Sequence, residues 1–189
     1  MTQNNAIGNP AAVGLAGFGL STLLLQMHNI GLIGIEPVIW IGFVFGGAAQ
    51  MIAGLQEQKT GNNFGYSAFT SYGAFWITLC LILVANKLEF YETSSVDLGW
   101  FLGVWGLYTT ILFLGAIKIH CAMATTFLTL MLGFYLLAAG HIAQIDALNK
   151  IAAIVLIASA FSALYMMAGV ILNDIYGRTL IRMGTPWVK

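Results

Sequence analysis

Asn9-Pro10-Ala11-Ala12-Val13-Gly14-Leu15 opens the first long apolar run of the chain. Asn is a favoured N-cap, because its side-chain oxygen takes an otherwise orphaned backbone N–H. Pro suits the next position, where its missing N–H costs nothing. Small and apolar residues follow, with Gly14, Gly17 and Gly19 thinning one side. A helix start of this kind carries partial positive charge and suits an anion, although a well-capped first helix is all that these residues demand.

Working outward, the same apolar character recurs along the whole chain. Of its 189 residues 59% are hydrophobic and 7% charged, and mean hydropathy is +0.87. A soluble domain carries roughly 25% charged residues, and 7% does not cover a water-facing surface. Six runs are long enough to cross a bilayer, which takes about 20 helical residues. They lie near residues 11–28, 37–55, 65–86, 98–117, 119–140 and 151–172, and none contains Asp, Glu, Lys or Arg. The expected fold is an all-α integral membrane protein, a single bundle of six transmembrane helices spanning residues 1–189. Residues 1–10 are polar and uncharged and have no convincing cleavage site, so no cleavable signal peptide is expected.

Orientation follows from the cations. With the N-terminus inside, Lys59, Lys118, Arg178, Arg182 and Lys189 fall inside, and Lys87 and Lys150 fall outside. Five against two predicts N-in, C-in. Net charge is zero with no basic cluster, which argues against nucleic acid. Cys80 and Cys121 sit in apolar runs without metal-ligand spacing and read as small core residues. Neither a cofactor nor a metal is expected. Gly42/Gly46, Gly99/Gly103 and Ser159/Ala163 are spaced for close helix packing.

The runs lack an ionisable relay at mid-depth. His28 and His141 lie near the outer ends of runs one and five and His120 near the inner side. Each suits an interfacial position, or, for His28 and His141, an outer vestibule that titrates near neutral pH. Uncharged hydroxyls form stripes instead. Ser67, Ser71 and Thr78 fall within roughly 40° on a helical wheel. Thr125 and Thr129 share a face of run five, and run six carries Ser159, Ser162 and Tyr165. Any one of them can bond its own helix carbonyls; together they suggest a weakly polar path that binds a carboxyl group without trapping it. Gln50, deep in run two, either glues helices or faces that path.

Several stretches taken together resemble one family. Asn9 to Leu15 is similar to its signature N-P-A-P-L-G-L, with Ala12 and Val13 in place of Pro and Leu. Phe45-Gly46-Gly47-Ala48-Ala49-Gln50 and Ala53-Gly54 look like its second helix. Asn62-Asn63-Phe64-Gly65 and Ala68-Phe69-Thr70-Ser71-Tyr72-Gly73-Ala74-Phe75-Trp76 form a long match. Leu172-Asn173-Asp174 and Gly177-Arg178-Thr179 are similar to its last helix and tail. The chain is identified on these motifs as resembling the acetate uptake transporters, the YaaH-type succinate–acetate permeases of bacteria, archaea and fungi.

The resemblance implies a hexameric ring in a bacterial or archaeal inner (plasma) membrane, with one path per subunit. It implies passage of acetate, succinate or other short carboxylates, either channel-like or proton-linked; from the residues themselves, no nucleophile–base arrangement suggests an enzyme. It further implies a constriction at Phe18, Tyr72 and Leu130. Asn9, Gln50, Ser67, Ser71, Thr125 and Thr129 are the further candidates to line the path, and Ala163 on the sixth helix is expected near the constriction, where it would tune substrate size. A formate/nitrite-type channel has similar size but different motifs. An aquaporin needs two Asn-Pro-Ala motifs at the midplane, and one exists here, at a membrane end. A haem or redox protein would use His28 and His141, the pair at one depth.

Overall fold

In a computed structural model, residues 8–189 are described; residues 1–7, part of the polar lead-in for which no signal peptide is expected, lie outside them. Six helices are long and apolar enough to span a membrane: α1 (Ala11–Asn29), α2 (Glu36–Lys59), α3 (Asn63–Lys87), α4 (Ser95–Ala116), α5 (Cys121–Ala143) and α6 (Asp146–Ile175). Helices α1, α3 and α5 start on one side, here the near side, where α2, α4 and α6 end. The opposite side is the far side.

Each start has a local cause. Asn9 accepts the Ala11 N–H at 3.0 Å, the first-turn bond expected of an N-cap. Asn62 caps α3 through the Gly65 N–H, and Ser94 caps α4 through the Asp97 N–H. His120 caps α5, with Nδ1 accepting from the Met123 N–H at 3.1 Å.

Two helices differ from the apolar runs. The second continues past residue 55 to Lys59 and carries Glu57 into the bundle, 3% exposed. Its middle, Gly42–Ala49, is wound as π-helix. The sixth starts at Asp146 and ends at Ile175, longer at both ends than residues 151–172. Its end is fixed by the tail: Asn173 Oδ1 accepts the N–H groups of Leu180 and Ile181.

Small residues set the packing. A Cβ on Gly42 would meet Cys80 and Trp76 of α3, and one on Gly46 would meet Ser21 of α1. Gly99 lies against Ile142 of α5, and Ser159 Oγ donates to Thr126 O across the α5–α6 contact. These spacings therefore serve contacts within the subunit. Consecutive helices pack side by side except α3 and α4, and α6 closes onto α1. Between α3 and α4 the backbones stand apart, and aromatic rings fill the space. Phe75 stacks on Phe101 at 5.7 Å and meets Trp105 edge-on at 5.1 Å.

Candidate functional site

Two cavities lie end to end inside the bundle. The far cavity has a volume of about 240 Å3 and the near cavity about 140 Å3. Three residues line both: Phe18 of α1, Tyr72 of α3 and Leu130 of α5. All three are buried, at 7%, 3% and 3% exposure. The rings of Phe18 and Tyr72 sit 6.0 Å apart.

Tyr72 is held from behind. Thr109 is fully buried on α4 and donates to its own helix carbonyl, Trp105 O, at 2.7 Å. Its hydroxyl has one proton, so the 2.8 Å bond between Tyr72 and Thr109 is donated by the phenol. The polar tip of Tyr72 is thereby spent on α4. The walls above and below are mostly apolar, including Leu79, Phe134 and Leu137 on the far side and Leu15, Phe69 and Met166 on the near side.

Each cavity also has polar side chains in its wall. The far cavity is lined by Thr22, Gln26 and Asn29 and by both His28 and His141. His28 bonds Ile33 O through Nδ1, which must therefore carry the proton. His141 Nδ1 shares a bond with Ser95 Oγ. Among the described residues no group of three His, Cys, Asp or Glu is placed to hold a metal. The near cavity is lined by Gln50, Asn62 and Thr126. Asn62 Nδ2 donates to Glu57 Oε2 at 2.7 Å, and its Oδ1 accepts the Gly65 N–H. Thr126 bonds Ala122 O and Ser162 Oγ. Gln50 is fully buried, and neither its Nε2 nor its Oε1 has a partner.

Phe18, Tyr72, Leu130 and Gln50 thus come together on the cavity axis. The other candidates fall elsewhere. Ser71 Oγ and Ser67 O both receive Tyr108 OH, on the side toward α4. Thr129 donates to Thr125 O and Thr126 O of its own helix, and Thr78 does the same to Ala74 O. Neither Thr125 nor Ala163 lines a cavity, and Asn9 stays exposed at the start of α1. The hydroxyl stripes face neighbouring helices or their own carbonyls, so the walls are more apolar than a striped path would be. Three residues of this region escape a reading by apolar runs: Thr126, one position from the predicted face; Asn62, quoted only within the motif Asn62-Asn63-Phe64-Gly65; and Glu57, beyond the run. The spacing Gln50, Ala53, Gly54, Glu57 of one helix face was the available signal for Glu57.

Residues 1–179 match the model of the GPR1/FUN34/yaaH family. The chain is 41% identical over 183 residues to the succinate-acetate/proton symporter SatP of Escherichia coli K12, covering 96% of this chain and 97% of that protein. It is 34% identical over 152 residues to acetate permease A of Emericella nidulans, covering 74% of this chain and 51% of that longer protein. Among solved structures, the bacterial acetate channel SatP superposes with a TM-score of 0.92 at 40% identity, covering 95% of this chain and all of that one.

Proposed function

This chain belongs to the GPR1/FUN34/yaaH family, and from that premise we propose that it conducts acetate and related short carboxylates across a membrane through the axis of its own six-helix bundle. It is a transporter and not an enzyme, as are its relatives by name. The observation that carries the path is the sharing of Phe18, Tyr72 and Leu130 by two cavities that otherwise have no residue in common. A solute passing from one to the other must cross the level of these three side chains.

The chemistry of that level follows from its residues. Phe18 and Leu130 offer no hydrogen bond, and the Tyr72 hydroxyl is committed to Thr109. A carboxylate there loses water without compensation, a cost of several kcal/mol for an unpaired charge. Protonation to the neutral acid lowers that cost, so flux rises as pH falls toward the pKa of the acid.

The near side is the cytoplasmic face in this reading, supported by Lys59, Lys118, Arg178, Arg182 and Lys189 there against Lys87 and Lys150 on the far side. The membrane is the inner membrane of a bacterium or archaeon, and six copies assemble in a ring. The bundle has outer faces for lipid and neighbouring copies, such as Trp100, Val104, Leu107 and Ile111 of α4, each at least 60% exposed. Labelled acetate flux into vesicles at several pH values, with and without a proton uncoupler, tests the transport. Flux above protein-free vesicles is expected; because the neutral acid carries its own proton, accumulation on the alkaline side should collapse with the uncoupler, and no flux above protein-free vesicles would overturn the reading. Native mass spectrometry tests the ring.

A further inference from the structure

Gln50 stands out among the near-cavity side chains because its hydrogen-bonding capacity is wholly unspent. It is 0% exposed, it lines the cavity immediately below Phe18, Tyr72 and Leu130, and both amide atoms lack partners. Asn62 and Thr126, its polar companions there, are already bonded. Buried polar groups in folded proteins are nearly always paired, so such an amide signals a missing partner. Because both atoms are free, the conclusion does not depend on which is nitrogen and which is oxygen.

Its position is also fixed. Gly17 of α1 brings its backbone against α2 here: a Cβ at that position would lie 3.2 Å from Gln50 Cβ and 2.6 Å from Phe45 O. The π-wound segment ends one residue before Gln50. A π turn shifts every following residue around the helix relative to α-helical winding, and such turns recur at functional sites.

We propose that Gln50 receives the substrate as the protonated carboxylic acid, and so selects the neutral form on the near side of the constriction. This rests on the reading of the two cavities as the transport path. A carboxylic acid and a primary amide match atom for atom. Nε2–H donates to the carbonyl oxygen of the acid, and the acid O–H donates to Oε1. A carboxylate has no proton to give, so Oε1 would face lone pairs. The surroundings favour the neutral form as well. Among the described residues no Lys, Arg or His lines the near cavity. The ionisable groups facing it are Tyr72 of α3, whose hydroxyl is bonded to Thr109, and, behind Asn62, Glu57 of α2, whose Oε2 is bonded to Asn62. Helices α1, α5 and α6 present no charge to the near cavity. Among the described residues no cationic side chain there balances an anion, and the starts of α1, α3 and α5 at the near mouth offer only partial charge. The acid keeps its own proton through the constriction and gives it to water at the near mouth, yielding acetate and hydronium. Each acetate thus moves with one proton and no net charge, which makes proton-linked and channel-like transport the same event.

Infrared difference spectra of the lipid-reconstituted protein with carboxyl-13C acetate, at a pH where free acetate is mostly ionised, test the bound form directly. The wild type should show the carbonyl stretch of the acid, and Gln50→Met should lose it. Labelled-acetate flux, corrected for protein-free vesicles, should fall about tenfold per pH unit above the pKa of the acid and carry no current. Gln50→Met should lower it about tenfold, the worth of two hydrogen bonds. Gln50→Glu makes the same pair only when itself protonated, so it should conduct at acid pH and shut more steeply as pH rises. Carboxylate stretches alone on the bound probe would overturn the proposal. So would wild-type flux in a Gln50→Met protein that elutes and melts normally. A wild type with no flux above protein-free vesicles would instead overturn the transport reading beneath it.

Discussion

Thr109 and Tyr72 show how a single proton decides what a side chain is free to do. Thr109 gives its proton to Trp105 O, so it takes the Tyr72 proton as an acceptor. Thr109→Val should therefore leave the buried Tyr72 hydroxyl without a partner and cost about 1–3 kcal/mol of stability. Tyr72→Phe removes the hydroxyl with its need and should cost less. Thermal melting of the two variants in one detergent checks the order. His120 offers a second case, at the near-side start of α5. Its Nδ1 works as a cap acceptor, and burial holds the imidazole below its ordinary pKa of 6.5. The unfolded chain then binds more protons than the folded one once pH drops below about 6.5. Stability is full above that value and is lost as pH falls through the folded pKa. His120→Asn, a cap that does not titrate, should flatten the melting temperature between pH 7 and pH 5. Sequence alone assigns His120 to an interface, because a cap on α5 requires knowing where α5 begins. It places Ser71 and Thr129 on a polar face by angle, yet angle does not say whether that face meets a cavity, a neighbour or its own carbonyls.

At the scale of the helix, the glycines of α1 and α6 separate two kinds of tight contact. A Cβ on Gly17 would meet the Phe45 carbonyl at 2.6 Å, and backbone in a packed helix pair does not step aside. Gly17→Ala should destabilise the protein by about 1–3 kcal/mol and disturb Gln50 as well. At Gly169 the added methyl meets mainly the terminal carbon of half-buried Met183, the far end of a flexible side chain. There the better helix propensity of Ala, worth up to about 1 kcal/mol, should leave stability unchanged or raised. Chemical or thermal denaturation of both variants decides between these signs. The helices themselves were legible because the charged residues fall between or beyond the apolar runs, and the runs match bilayer thickness. The π-wound stretch was not, since Gly42–Ala49 is apolar all round and offers no periodicity from which winding is read. The near-side end of α2 was hidden for the opposite reason. Gln56-Glu57-Gln58-Lys59 reads as a solvated connection, and only the approach of α3, with Asn62 bonded to Glu57, buries the carboxylate.

For the whole molecule, the arrangement of helices matters more than any one of them. Phe18, Tyr72 and Leu130 come from α1, α3 and α5, three helices that start on the same side. No periodicity within one helix states that they meet, and their pairing in the sequence rests on motif resemblance. The bundle brings them to one level, where the far cavity of about 240 Å3 and the near cavity of about 140 Å3 share them as common wall. Shaving that wall should join the cavities without touching the outer packing, because the removed atoms face the axis. Phe18→Ala removes an aromatic ring, and Leu130→Ala an isobutyl group, so the first should widen the passage more. Each methylene that a tight apolar pocket ceases to exclude is worth roughly 10-fold or more in discrimination. Propionate and butyrate should therefore gain flux relative to acetate in both variants, in the order Phe18→Ala above Leu130→Ala. The loss of buried apolar side chains also costs about 2–5 kcal/mol of stability, so flux must be compared at equal amounts of folded protein. Competition of the longer acids against labelled acetate measures the change. Unaltered selectivity in both folded variants would move the constriction away from these side chains and require the solute to pass elsewhere in the bundle.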